Sequence, residues 1–148
     1  MKTIFNPYLP SYEYIPDGEP RVFDDRLYIY GSHDRFGGDG YCLNDYVCWS
    51  APLADLSVWR FEGTIYKKSQ HPGGAAALYA PDAVRGADGR YYLYYSAKDS
   101  YKISVAICDT PAGKYEYLGD VHAEDGHACG TLPGEWMEFD PAVLVDTD

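Results

Sequence analysis

The chain has 148 residues, 12 Lys and Arg against 23 Asp and Glu, a formal net charge of −11, and 46% hydrophobic and 16% aromatic content. That length fits one domain, and the composition is globular, neither disordered nor collagen-like. The acidic balance argues against nucleic acid and anionic membranes as partners, because binding a phosphate backbone needs clustered Lys and Arg to displace counterions.

The first residues, Met1 to Pro7, contain no apolar run of the kind a secretory signal requires, and no window reaches the length of a membrane span. The expected location is therefore cytoplasmic. Arg21 to Tyr30 (RVFDDRLYIY) reads as a hairpin, two β-branched and aromatic runs split by Asp24-Asp25. Further strands follow at Tyr46 to Pro52 (YVCWSAP) and Trp59 to Tyr66 (WRFEGTIY), and His71-Pro72-Gly73-Gly74 reads as an insertion. The same order then returns. A hairpin spans Ala83 to Tyr95 with Asp88-Gly89 at its turn, where glycine most easily takes positive φ, and strands follow at Ile103 to Pro111 and Lys114 to Val121.

Each unit opens on an Asp close to a Pro: Asp17 in PDGEP, Asp82 in APDAV and Asp140 in FDPAV. Recurrence at about 60 residues with four strands per unit predicts β-propeller blades lengthened by loops. An all-β sandwich is the alternative. The predicted layout is one blade over 14–70, a second over 78–125 and the first strand of a third over 138–148. Closed propellers have about 4 to 8 blades, so the segment reads as incomplete, and its exposed strand edges favour self-association.

Sixteen tyrosines supply rings for a core and hydroxyls that can reach water or a sugar. Cys42, Cys48, Cys108 and Cys129 form no CxxC pair, and His33, His71, His122 and His127 lie at no ligand-like spacing with them. Free thiols and no metal site are the expectation. Asp39-Gly40 with Asn44-Asp45 lacks the full pattern of a calcium loop. Ser32-His33-Asp34 cannot form a relay, because neighbours along a strand point to alternate faces. Phe36, Trp49 and Trp59 are candidates for stacking on sugar rings, with packing between blades the expectation for both tryptophans.

In a propeller the innermost strands line the central channel, so Asp17, Asp82 and Asp140 are expected to converge at its mouth. Carboxylates gathered in an aromatic-rimmed pocket suit glycoside hydrolysis, where one activates water while a protonated acid donates to the leaving oxygen. The plainer reading is that Asp beside Pro opens a turn into each strand.

NPYLP at Asn6 to Pro10, YIPDGEPRVF at Tyr14 to Phe23, YIYGSHD at Tyr28 to Asp34, LYAPDAV at Leu78 to Val84, DGRYYLYYS at Asp88 to Ser96 and FDPAVLVD at Phe139 to Asp146 together resemble the N-terminal half of glycoside hydrolase family 43. The resemblance implies an all-β fold, a five-bladed β-propeller when intact, here about two blades plus the first strand of a third. It implies an inverting hydrolase of xylose- or arabinose-containing oligosaccharides, of the β-xylosidase and α-L-arabinofuranosidase class, that needs no cofactor. A structural divalent ion such as calcium is compatible with the intact protein. By the same resemblance Asp17 is the general base, with Gly18 standing where the family usually has Pro, and Asp140 tunes the acid's pKa. Asp82 is expected to contact substrate or support the pocket, and His33 to contact substrate. The family's acid is a Glu in a later motif, and none of Glu124, Glu135 and Glu138 occupies it, so the segment alone is expected to be inactive. The alternative is a non-catalytic propeller fragment that binds carbohydrate or a partner chain.

Overall fold

A computed structural model describes residues 6–100 and 102–146. It contains two four-stranded antiparallel sheets. The first is formed by β1 (Glu19–Phe23), β2 (Arg26–Tyr30), β3 (Tyr46–Pro52) and β4 (Arg60–Tyr66). The second is formed by β5 (Asp82–Arg85), β6 (Tyr91–Ser96), β7 (Ile103–Cys108) and β8 (Glu116–Asp120). Strands lie side by side in sequence order in both sheets, and β1 runs against β5. Two meanders that meet at their first strands are the arrangement of neighbouring propeller blades.

The turns obey local backbone chemistry. Phe23 pairs with Arg26, leaving Asp24-Asp25 as a two-residue turn with Asp24 at φ +53°. A hairpin turn of the primed type needs positive φ there, and Asp tolerates it. Gly89 carries the positive φ of the β5–β6 loop, at +84°. In β4, Gly63 at φ +98° lies beside the register shift against Cys48 and Trp49, the geometry of a β-bulge.

The core lies between the sheets. Tyr28 and Tyr30 of β2, Tyr46 and Cys48 of β3, and Ile65 and Tyr66 of β4 meet Ala83, Tyr91, Leu93, Tyr95 and Ala106 of the second sheet, with Tyr115 just before β8. In β2, β3 and β6 alternate residues point inward, as the strand period requires, whereas consecutive Ile65 and Tyr66 both reach the core in β4, whose pairing with β3 is irregular. Tyr30, Tyr46, Tyr66, Tyr95 and Tyr115 are fully buried, and their hydroxyls are used internally. Tyr30 and Tyr115 both donate to the Pro111 carbonyl, at 2.5 and 2.9 Å, Tyr46 donates to the Tyr79 carbonyl, and Tyr95 meets Tyr66 at 2.8 Å and His71 Nδ1 at 3.0 Å. The hydroxyls expected to face water or sugar are thus, at these five positions, what allows a tyrosine core to form. Tyr95→Phe strands two partners at once and should cost about 1–3 kcal/mol in urea unfolding; an unchanged midpoint would contradict the network.

Three features singled out in the sequence take the following places. Trp49 lies opposite Ile29 on the face of the first sheet turned away from the second, against Phe61 at 5.1 Å. Trp59 packs on Tyr8 at 5.0 Å beside Pro20, Leu27 and Ile29 of that same face. Neither tryptophan therefore packs between these two sheets. The third-unit strand predicted over 138–148 does not appear in the described residues 138–146. A strand needs a backbone ladder, and the hydrogen bond this segment makes to β5 runs instead from the Val143 amide to the Asp82 side-chain carboxylate at 2.7 Å. All four cysteines are free.

Candidate active site

Asp17 lies two residues before β1, Asp82 begins β5, and Asp140 lies in the segment that passes β5. Their backbones divide them. Asp17 and Asp140 both adopt the left-handed region, at φ +53° and +48°, whereas Asp82 is an ordinary strand residue. Non-glycine residues at positive φ cost about 1–3 kcal/mol and concentrate where function fixes a side chain.

Asp17 is exposed, and its Oδ2 accepts a hydrogen bond from the fully buried Ser32 hydroxyl at 3.1 Å. Desolvation by the surrounding protein raises the Asp140 carboxyl above its ordinary value, and the Asp17 charge adds to that rise. Burial likewise pushes the Cys42 thiol up, and the carboxylates of Asp34, Asp17 and Asp140 push it further. The charges of Asp34, Asp17 and Asp140 thus all act on Cys42, which is 3% exposed and itself at φ +59°. Asp34 Oδ1 accepts the Cys42 amide at 2.6 Å, which folds the loop between β2 and β3 back over the site.

Aromatic rings lie on the segments that carry these carboxylates and on the loops next to them. Phe139, next to Asp140, packs on Tyr79 at 5.0 Å; Tyr41 lies 6.5 Å from Tyr79; and Phe36 stacks on Tyr14 at 5.9 Å. Phe36 and Tyr41 are exposed, so they offer ring faces to solvent. Acidic groups set among exposed rings suit a ligand with polar hydroxyls and apolar C–H faces.

Asp82 sits inside the fold rather than open to solvent. It is 1% exposed, its Oδ1 accepts Arg21 Nε at 2.8 Å and the Ala83 amide at 2.6 Å, and its Oδ2 accepts Arg21 Nη2 at 2.5 Å and the Val143 amide at 2.7 Å. His33 is also turned inward. Its Nδ1 lies 3.1 Å from the Asp45 carbonyl and its Nε2 3.6 Å from Glu13, whose other oxygen accepts Trp49 Nε1 at 2.6 Å. Ser32, His33 and Asp34, which follow the end of β2, thus face three different partners. Asp45, from the stretch weighed as a calcium loop, accepts the Lys68 amide at 2.9 Å. No cluster of three or more His, Cys, Asp or Glu able to hold a metal occurs among the described residues.

Ser32 was legible in the sequence. Its place follows from the turn, because the β1–β2 ladder pairs Glu19 with Tyr30 and two more steps bring Ser32 opposite Asp17. Weighing Ser32 only as part of a triad hides that register.

Residues 121–139 carry the chain from β8 to Asp140 and are tied by His127, which contacts Asp125 through Nδ1 and lies 2.6 Å from Glu135 through Nε2. Glu135 also accepts the Leu132 amide at 2.8 Å. Glu135 first, then Asp125, raise the imidazole above its usual value, and His127 in turn helps hold both carboxyls below theirs. A raised histidine contributes order that is fully present below its unfolded pKa and is lost as pH rises through the folded one; lowered carboxyls contribute order lost as pH falls through theirs. Protection of the Leu132 amide, measured as its exchange relative to the intrinsic rate at each pH, should therefore be greatest in mildly acidic solution and fall on both sides. His127→Gln should remove the alkaline limb, and a flat profile in the parent would contradict the clamp.

The sequence pattern of Glycosyl hydrolases family 43 matches residues 12–148. The chain is 61% identical to a xylosidase/arabinosidase of Thermoclostridium stercorarium, over 98% of this chain and 31% of that protein. It is 35% identical to xylosidase/arabinosidase 43A of Humicola insolens, over 91% of this chain and 41% of that protein. Among solved structures it resembles CoXyl43, a β-xylosidase/α-arabinofuranosidase from a compost microbial metagenome in complex with xylotriose in a calcium-free form, with TM-score 0.65, 28% identity, and coverage of 85% of this chain and 44% of that one. A GH43_1 enzyme from Xanthomonas citri complexed with xylose gives TM-score 0.65 and 26% identity, over 80% of this chain and 40% of that one. The chain spans less than half the length of each of these relatives.

Proposed function

Because the chain belongs to glycosyl hydrolases family 43, we propose that it supplies the base-bearing part of an inverting hydrolase of xylose- or arabinose-containing oligosaccharides. The observation that carries this reading is the pairing of Asp17 and Asp140, two carboxylates on matching left-handed backbones, with the Asp17 charge acting on Asp140 and the Phe139–Tyr79 ring pair beside Asp140. An exposed carboxylate oriented by a buried hydroxyl suits a general base that takes a proton from water as the water attacks the anomeric carbon. Asp140, above its ordinary value, suits a neighbour that tunes the charge of the site rather than a second base. Xylose and xylotriose, bound by the two solved relatives, support the pentose assignment.

Inversion needs an acid about 6.5–9.5 Å from the base, with water between. Glu135 is committed to His127 and Leu132, Glu124 is exposed, and Glu138 lies two residues before Asp140 on the approach to it. The reading therefore places the acid outside residues 1–148, on further blades, and the segment by itself binds sugar without cleaving it. A calcium ion in the intact protein would find no cluster of three or more His, Cys, Asp or Glu among the described residues. Exposed Val22 and Phe61 at the first sheet support self-association of the isolated segment.

Xylotriose titrated into the 148-residue chain, followed by NMR and by release of xylose, tests the reading. Resonance shifts at Asp17, Asp140 and Phe139 without xylose release are expected. Turnover by the segment alone would contradict the placement of the acid, and no shift at any of these residues would contradict the site.

A further inference from the structure

We infer that Asp82 is a positioning residue: together with Arg21 it clamps the backbone at Val143 so that Asp140, three residues earlier, is held beside Asp17. The inference rests on the reading of Asp17 and Asp140 as a working pair and assigns the part that keeps them paired. Each of the three inner segments contributes one component. Arg21 comes from β1, whose start follows Asp17; Asp82 opens β5; and Val143 belongs to the segment of Asp140.

Both oxygens of Asp82 are filled. The Arg21 guanidinium binds them in a two-point fork at 2.8 and 2.5 Å, the Ala83 amide fixes the carboxylate to its own strand at 2.6 Å, and the Val143 amide is received at 2.7 Å. Arg21 Nη2 also reaches the Val143 carbonyl at 3.5 Å, so the donor and the acceptor of one peptide residue are both engaged by the ion pair. Such fork geometry fixes direction as well as distance. Because residues 138–146 form no strand, this contact stands in for the ladder that would otherwise set their position. The charged groups facing the pair are few: Glu19 lies 3.5 Å from Arg21 on the same strand.

A buried ion pair that served stability alone would leave the communication between Asp17 and Asp140 intact in any variant that still folds. A positioning role would not. Carboxyl-carbon NMR titration of the 148-residue chain reads this directly, with Asp140 followed in the parent, in Asp17→Asn, in Asp82→Asn and in the double variant. In the parent, Asp17→Asn is expected to lower the Asp140 midpoint. In Asp82→Asn the midpoint should already have fallen toward the ordinary carboxylate range, and adding Asp17→Asn should no longer move it. Should Asp82→Asn fail to fold, Val143→Pro removes the amide donor while sparing the ion pair, and the same loss of coupling is expected. Coupling of parental size in either folded variant would overturn the clamp alone. No coupling in the parent would overturn the paired reading of Asp17 and Asp140 and the clamp with it. Hydrolysis does not enter the measurement, so it stands apart from the question of catalytic activity.

Discussion

Asp17→Asn should reduce hydrolysis of aryl β-xylosides by about 10²–10⁴-fold in kcat while leaving the fold unchanged. The measurement calls for an active protein, and a chimera can provide one. Residues 1–148 replace the corresponding part of the Thermoclostridium stercorarium relative, to which they are 61% identical and of which they span 31%. The substitution preserves shape and keeps an acceptor for the Ser32 hydroxyl, which donates to Asp17 at 3.1 Å, but removes the proton acceptor. KM should change little, because an amide still hydrogen-bonds substrate or water in the ground state while the transition state loses its base. A chimera carrying Asp17→Asn with near-parental kcat would show that another group accepts the proton.

Arg21→Ala should destabilise the chain by about 3 kcal/mol or more, or abolish its cooperative unfolding transition. Asp82 is 1% exposed, and removing its guanidinium partner leaves a carboxylate in the interior with two backbone amides as its remaining donors. Breaking one side of a buried pair is costly because the surviving charge has lost both water and counter-charge. Arg85→Ala is the matched control. Arg85 faces Asp24 at 3.5 Å, and both side chains are at least half exposed, so that loss should stay under about 1 kcal/mol. Urea unfolding of the two variants side by side distinguishes them, and equal losses would contradict the structural weight given to Asp82. The comparison also separates the Arg21 clamp from general charge effects in a chain of net charge −11, since each variant removes one positive charge.

The strand pattern was plain in the sequence because alternation and turn residues are local properties. Asp24-Asp25 and Gly89 mark the hairpins, and β3 covers the same residues that the β-branched and aromatic run suggested. The sites divided along a different line. Asp17, Asp82 and Asp140 hold equivalent places in the repeat, yet only backbone torsion and the position of Arg21 distinguish two solvent-facing acids from one buried clamp. Neither quantity is local in sequence, since Arg21 and Asp82 are 61 residues apart. His33 shows the same limit: its nitrogens face Asp45 and Glu13, a pairing set by how two loops close. The tyrosine hydroxyls were misread for a related reason. Polar tips suggest water until the packing supplies the Pro111 and Tyr79 carbonyls.

The central claim is that Asp17 activates a water molecule for single displacement at the anomeric carbon. Proton NMR of the sugar first released by the chimera from an aryl β-xyloside tests it most directly, because the initial anomer records the geometry of attack before mutarotation. The account predicts α-xylose as the first product, and its loss in Asp17→Asn. β-Xylose as the first product would contradict it, since retention requires a carboxylate to attack the sugar itself.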